Sequence, residues 1–181
     1  DSFSAFLQYT AGGVNPAATT TLSAADSFSG STGTDTLTIT VDGTPNNSVT
    51  LPSFSSTSVE SVEVRNVSGQ SVTVDLSSAI GMTGAVNVLS TFDVDFNNIG
   101  TADLTITGND VITNADTTFS SGSSSQTDAF TLNITGGVGA GTVTSDNAND
   151  DWTAVTINST GGTATATTAA NVVGALDLAG G

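Results

Sequence analysis

The sequence predicts an all-β fold, and three observations carry that prediction. Short runs alternate apolar and polar residues with period two, β-branched residues dominate those runs, and Gly, Asn and Asp fill the gaps between them. The clearest runs cover residues 37–41, 62–64, 72–76, 92–96 and 130–134, each patterned as a half-buried strand. No window holds a sustained 3.6-residue stripe of good helix formers. Helix is therefore expected only in short pieces, at residues 77–82 and 169–173.

Repeats bear on how the strands are arranged. Four segments run from an apolar strand end into Thr, Ala and Gly: Leu104 to Gly108, Leu132 to Gly137, Ile157 to Gly162 and Leu176 to Gly181. Their glycines at 108, 136, 161 and 180 lie 28, 25 and 19 residues apart, close to one coil of a β-solenoid. A strand closed by a Gly corner once per coil is what a parallel β-helix or β-roll requires, because Gly turns tightly at positive φ without a Cβ penalty. Irregular spacing of Gly-ended strands also suits a β-sandwich, which stands as the alternative.

Composition excludes several function classes. One Lys/Arg against 17 Asp/Glu gives a formal charge of -16, a field that repels nucleic acid and anionic lipid alike. A mean hydropathy of +0.14 with 36% hydrophobic residues is too apolar for a solvated tail, so the charge belongs to a folded surface. Ser and Thr number 57 of 181 residues, and hydroxyls take the place of the usual charged exterior. The absence of Cys excludes disulfides and thiolate chemistry, and the absence of Lys excludes lysine crosslinks. No apolar run is long enough to span a bilayer and no signal-peptide core is present. With Asp1 rather than Met at its start, the chain is expected to be soluble, secreted and already processed or excised.

The sharpest local motif lies near the start. Ala24 to Ser29 and Gly33 to Thr38 superpose at a nine-residue offset, and Gly30 to Thr38 nearly fits the G-G-x-G-x-D-x-U-x nonapeptide, with Ser31 in place of the second Gly. Gly-rich turns expose carbonyl oxygens and Asp adds hard anionic ones, the ligands from which calcium gathers six to eight. Two such units build part of one site. Residues 25–39, Ser58 to Val64, Val72 to Ser77 and Gly81 to Gly84 together resemble the RTX-related, Thr/Ser/Gly-rich surface-layer and adhesin proteins of Gram-negative bacteria. The resemblance implies a calcium-stabilised (Ca2+) protein that coats the cell exterior. It implies as ligands the carboxylates of Asp26 and Asp35 with carbonyls around Gly30 and Gly33.

Further acidic clusters are candidate metal ligands. Asp103 and Asp110 flank the strand at 104–107, and Asp146, Asp150 and Asp151 crowd three carboxylates into six residues before Trp152. Neither cluster has the Gly and distant Glu of an EF-hand, and Asp and Asn are also ordinary turn residues. Asp93 and Asp95, on one strand face, have the spacing of a glycosidase carboxylate pair. With no His, no Lys, one Arg and one Tyr, however, the chain lacks the groups that bind a sugar or tune a pKa. Four Asn-x-Ser/Thr sequons match the number chance predicts for 14 Asn in so hydroxyl-rich a chain.

Phe3, Phe6, Leu7 and Tyr9 crowd the N-terminus ahead of a Gly12-Gly13 break. They read either as an ordinary first strand or as a strand donated to a neighbouring copy, and the second reading has residues 1–11 extending from their own domain. The expected organisation is an extended segment at 1–20, an RTX-like turn with first strands at 21–58 and a Thr-rich β-repeat region at 59–181. The expected function is a non-enzymatic subunit of an extracellular surface layer or matrix filament that polymerises head to tail. A calcium-dependent adhesin segment, meeting cell-surface polysaccharide, is the alternative.

Overall fold

A computed structural model describes residues 1–9, 18–108, 115–122, 129–137, 139–145, 152, 154–161 and 170–178. Among them the chain forms strands and no helix. The first are β1 (Ser2–Tyr9), β2 (Ala18–Thr20), β3 (Ser27–Ser29), β4 (Thr36–Gly43), β5 (Val49–Thr50) and β6 (Ser55–Thr57). There follow β7 (Ser61–Val67), β8 (Val72–Asp75), β9 (Ala79–Ile80), β10 (Gly84–Val88), β11 (Val94–Asn97) and β12 (Asp103–Thr107). The last are β13 (Thr117–Phe119), β14 (Ala129–Thr135), β15 (Gly139–Ser145), β16 (Ala154–Thr160) and β17 (Val172–Leu178).

These strands build three sheets. One has the order β16-β14-β12-β10-β7-β4-β1-β2, the second β17-β15-β13-β11-β8-β5 and the third β3-β6-β9. The chain visits the three-stranded, eight-stranded and six-stranded sheets in that order three times, then alternates between the two larger ones. Among the described residues every strand pairing is parallel except that of β1 with β2. An antiparallel sandwich, the alternative arrangement, needs the opposite pairing.

Parallel register turns the alternation in sequence into columns in space. Phe3, Leu37, Val62, Ala85, Leu104, Leu132 and Ile157 are successive partners across the eight-stranded sheet. Val49, Val72, Val94, Thr117, Val143 and Leu176 form the matching column of the six-stranded sheet. The inward residues from Leu37 to Leu132 and from Val49 to Val143 are buried, so the core is a continuous filling between sheets. Removing one such Leu leaves a cavity and costs about 2 to 5 kcal/mol. Polar ties cross the filling: buried Asn87 donates from Nδ2 to buried Thr117 Oγ1 at 2.8 Å, joining the two larger sheets. At a corner, buried Asn66 donates to the carbonyls of Gln70 and Asp93, at 2.7 and 2.8 Å.

Three of the four Gly-ended repeats stack as expected, since Leu104, Leu132 and Ile157 are register partners in one sheet. The fourth does not: Leu176 pairs with Val143 in the six-stranded sheet. Its 19-residue spacing was therefore a step between sheets, shorter than a full coil. The helix expectations are also corrected. Residues 77–82 form turns around β9, and residues 172–173 begin β17; residue 169 lies outside the described residues. In both places β-branched and apolar residues find a parallel neighbour strand, and that pairing overrides weak local helix propensity.

Candidate functional site

The turn that carries the nonapeptide pattern is built around Asp35. Its side chain is 0% exposed, and its Oδ2 accepts the Ser31 N–H at 3.0 Å while its Oδ1 accepts from the main-chain nitrogen of Asp1. Its own N–H donates to Glu60 Oε2 at 2.7 Å, and its carbonyl receives the N–H groups of Glu60 and Ser61, each at 3.1 Å. The same corner pattern repeats one strand further on. The Glu60 carbonyl receives Thr83 and Gly84, each at 2.9 Å, and the Thr83 carbonyl receives Asp103 at 3.0 Å. Asp35, Glu60 and Thr83 thus follow one corner of the stack, the carbonyl of each holding the entry to the next strand, the last of them at Asp103.

Asp26 is occupied separately. Its carboxylate accepts the Ser23 N–H at 2.8 Å and the Ser23 hydroxyl at 3.0 Å, closing a local turn. Gly30 donates to the Thr57 carbonyl at 2.9 Å, and Gly33 sits at φ +122° in open space. Calcium needs six to eight oxygens around one point. As folded, this turn spends its carboxylate oxygens on its own main chain, and among the described residues no group of three or more acidic side chains gathers. Asp110, Asp146, Asp150 and Asp151 lie outside the described residues.

The paired carboxylates have structural partners as well. Asp93, just ahead of β11, accepts the Asp116 N–H, and Asp95 accepts the Thr73 hydroxyl at 3.2 Å. Asp75 lies on the same face. Burial pushes its carboxyl up, but the Ser77 N–H, the Asn98 amide and the Ser77 hydroxyl together hold it below the ordinary value. Burial pushes the Tyr9 phenol up.

The four N-terminal apolar residues divide. β1 pairs with β4 along its whole length, from Ser2 against Thr36 to Tyr9 against Gly43, and β2 pairs antiparallel on its other side. Leu7 is 2% exposed, Phe3 packs edge-on against Phe28 with centroids 5.6 Å apart, and Tyr9 packs on the core. Phe6 alone of the four points outward and is 37% exposed. Residues 2–9 therefore do not extend from their own domain. The register with β4 pairs them within it and buries Ala5 and Leu7, as in the ordinary first-strand reading; residues 10 and 11 lie outside the described residues.

The surface that sequence reasoning missed is at the other end. Every residue of β16 is exposed, and Val155, Ile157, Val172 and Leu176 stand open there. Their pattern resembles that of the buried strands before them, and local pattern does not say which strands find a neighbour on both sides. No protein-family model, curated protein or solved structure matches this chain.

Proposed function

We propose that the chain is a parallel β-helix segment whose work is structural, a non-enzymatic, self-associating subunit of an extracellular surface layer or matrix filament. The observation that carries this reading is the recurring order in which the chain visits its sheets, with core columns continuous from one round to the next. Such a stack is a rigid rod, and its stability grows with each added neighbour. The polar inventory supports the same reading: the carboxylates at Asp35, Asp93 and Asp26 accept main-chain N–H groups, and no His, Lys or Cys is available for acid–base or nucleophilic work. A surface of hydroxyls without Cys suits the outside of a cell.

Calcium belongs to the proposal as an ion that relieves repulsion between copies of charge -16. Electron microscopy of the concentrated protein, with calcium and with chelator, tests both parts. Filaments or sheets are expected, more extensive with calcium. Monodisperse particles at every concentration would overturn the assembly reading, and identical images and melting curves with and without chelator would remove calcium from it. Turnover of a polysaccharide or protein substrate would overturn the non-enzymatic part.

A further inference from the structure

The outer faces of the two larger sheets differ in charge. That of the six-stranded sheet carries Asp75 and Asp95, with Asp93 and Asp116 just ahead of their strands, and no Lys or Arg. That of the eight-stranded sheet holds the protein's one Lys/Arg, the exposed Arg65 of β7. The strands at its centre, β4, β7, β10 and β12, lie within residues 18–108, and each pairs on both edges. Their inward residues are buried, and the residues between these face outward. Two columns run side by side there. In one, Thr38, Glu63, Val86 and Thr105 are successive partners; in the other, Thr40 pairs with Arg65 and Val88 with Thr107.

The columns match strand by strand: hydroxyl beside hydroxyl on β4 and β12, isopropyl beside isopropyl on β10, and carboxylate beside guanidinium on β7. Among the described residues Arg65 has no carboxylate partner, while Glu63 Oε2 accepts the Thr38 hydroxyl at 3.2 Å. A twofold axis parallel to the stack, running between the columns, lays the face on a copy of itself and sets each column over the other. Each Arg65 then meets the partner's Glu63, Val86 meets Val88, and Thr meets Thr on β4 and β12, the self-complementarity that a twofold contact requires. Asp42 and Asp103 stand in the flanking columns, where Asp42 comes opposite Thr36. Packed sheets lie about 10 Å apart with strands aligned to within about 30°. Short Thr and Val side chains permit that approach, and the longer Glu63 and Arg65 reach across it. Eight strands about 4.8 Å apart and about six residues long present a face of roughly 750 Å², close to the roughly 800 Å² that each partner gives to a stable interface.

We propose that the outer face of the eight-stranded sheet is a self-association surface whose occupant is the same face of a second copy, with two Glu63–Arg65 ion pairs at its centre. In a chain of charge -16 this is the face on which a copy meets a counter-charge. The proposal rests on the structural reading above and names the side on which two copies join. The contact lies across the stack, whereas the head-to-tail contact expected from the sequence lies along it.

Sedimentation velocity over a wide concentration range measures the pair in the intact chain, and a dimer is expected. Arg65→Glu and Glu63→Arg each set like charges opposite one another and should weaken that dimer at least about 30-fold, the effect of losing a hot-spot residue. The double variant Glu63→Arg/Arg65→Glu exchanges the two charges, keeps opposite signs facing and should restore the dimer, which separates a lost contact from a damaged fold. Circular dichroism should show the β content retained in all three. A dimer indifferent to either single reversal, or one that the double variant fails to restore, would overturn the inference. Filaments or sheets that form undiminished in Arg65→Glu would overturn it and leave the structural function standing, whereas a chain that is monomeric at every concentration would overturn both.

Discussion

Asp93 Oδ1 accepts the main-chain N–H of Asp116 at 2.9 Å, and Asp116 Oδ1 in turn accepts that of Thr142 at 2.6 Å. The same device recurs along the six-stranded sheet: a carboxylate just ahead of one strand holds the main chain of the next, just ahead of β13 in the first case and within β15 in the second. Asp93→Ala is expected to lower stability by about 1 to 2 kcal/mol in urea unfolding, the net worth of a charge-assisted hydrogen bond. Asp93→Asn keeps an accepting oxygen and should lose less. Equal losses for the two variants would show that the hydrogen bond is not what matters there.

Gly30 is a glycine for steric reasons. A Cβ at this position would overlap the Ser58 carbonyl and press on the Asp35 carboxylate. Gly30→Ala is expected to cost about 3 kcal/mol or more, because backbone has to move to admit it. At Gly33, where the surroundings are open, Gly33→Ala should cost only the strain of the positive φ, about 1 to 2 kcal/mol. Thermal melts of the two variants give the ordering directly.

Asp75 gives the protein a measurable response to acid. Asn98 Nδ2 donates to Asp75 Oδ1 at 2.7 Å and the Ser77 N–H donates at 2.9 Å. The carboxyl therefore titrates below its ordinary value of 3.8. A depressed folded-state pKa stabilises the fold above the unfolded value, and that stabilisation disappears as pH falls through the folded one. Asn98 sits at φ 62°, so Asn98→Gly preserves the backbone while removing the amide. Carbon-detected NMR titration should show the Asp75 pKa rise in that variant. An unchanged titration would show that the amide does not hold the carboxylate.

Phe130 joins two ring contacts near the open end, stacked on Phe119 at 4.7 Å and tilted against Trp152 at 4.9 Å. Phe130→Ala should destabilise by about 3 to 5 kcal/mol. Because Trp152 is the protein's one tryptophan, its emission should shift to the red as the ring loses its cover. Unshifted emission would mean that Trp152 packs independently of Phe130.

The stack itself supports these predictions unevenly, and the sequence shows why. The runs at 37–41, 62–64, 72–76 and 130–134 lie in or overlap β4, β7, β8 and β14, because period-two alternation is a local property that burial on one face imposes. At 92–96 only part of the run became strand, with β11 beginning at Val94 and Asp93 just ahead of it. The Gly spacing of 28 and 25 residues identified true neighbours in one sheet, while that of 19 did not, since a Gly corner looks the same whichever sheet it enters.

By itself the sequence determined the all-β class, the inward residues of the clearest strands and the absence of His, Lys and Cys from any site. Each of these depends on residue type or on spacing within a few positions. The tertiary structure decided what depended on distant partners. It placed Asp35 under the Asp1 nitrogen and the Ser31 N–H, laid Leu7 beside Val41, and left Ile157 exposed while Leu132 is buried. The physical reason is that Leu132 and Ile157 carry the same local pattern. Among the described residues they differ in whether another strand pairs beyond them, and strand order is set by long-range pairing.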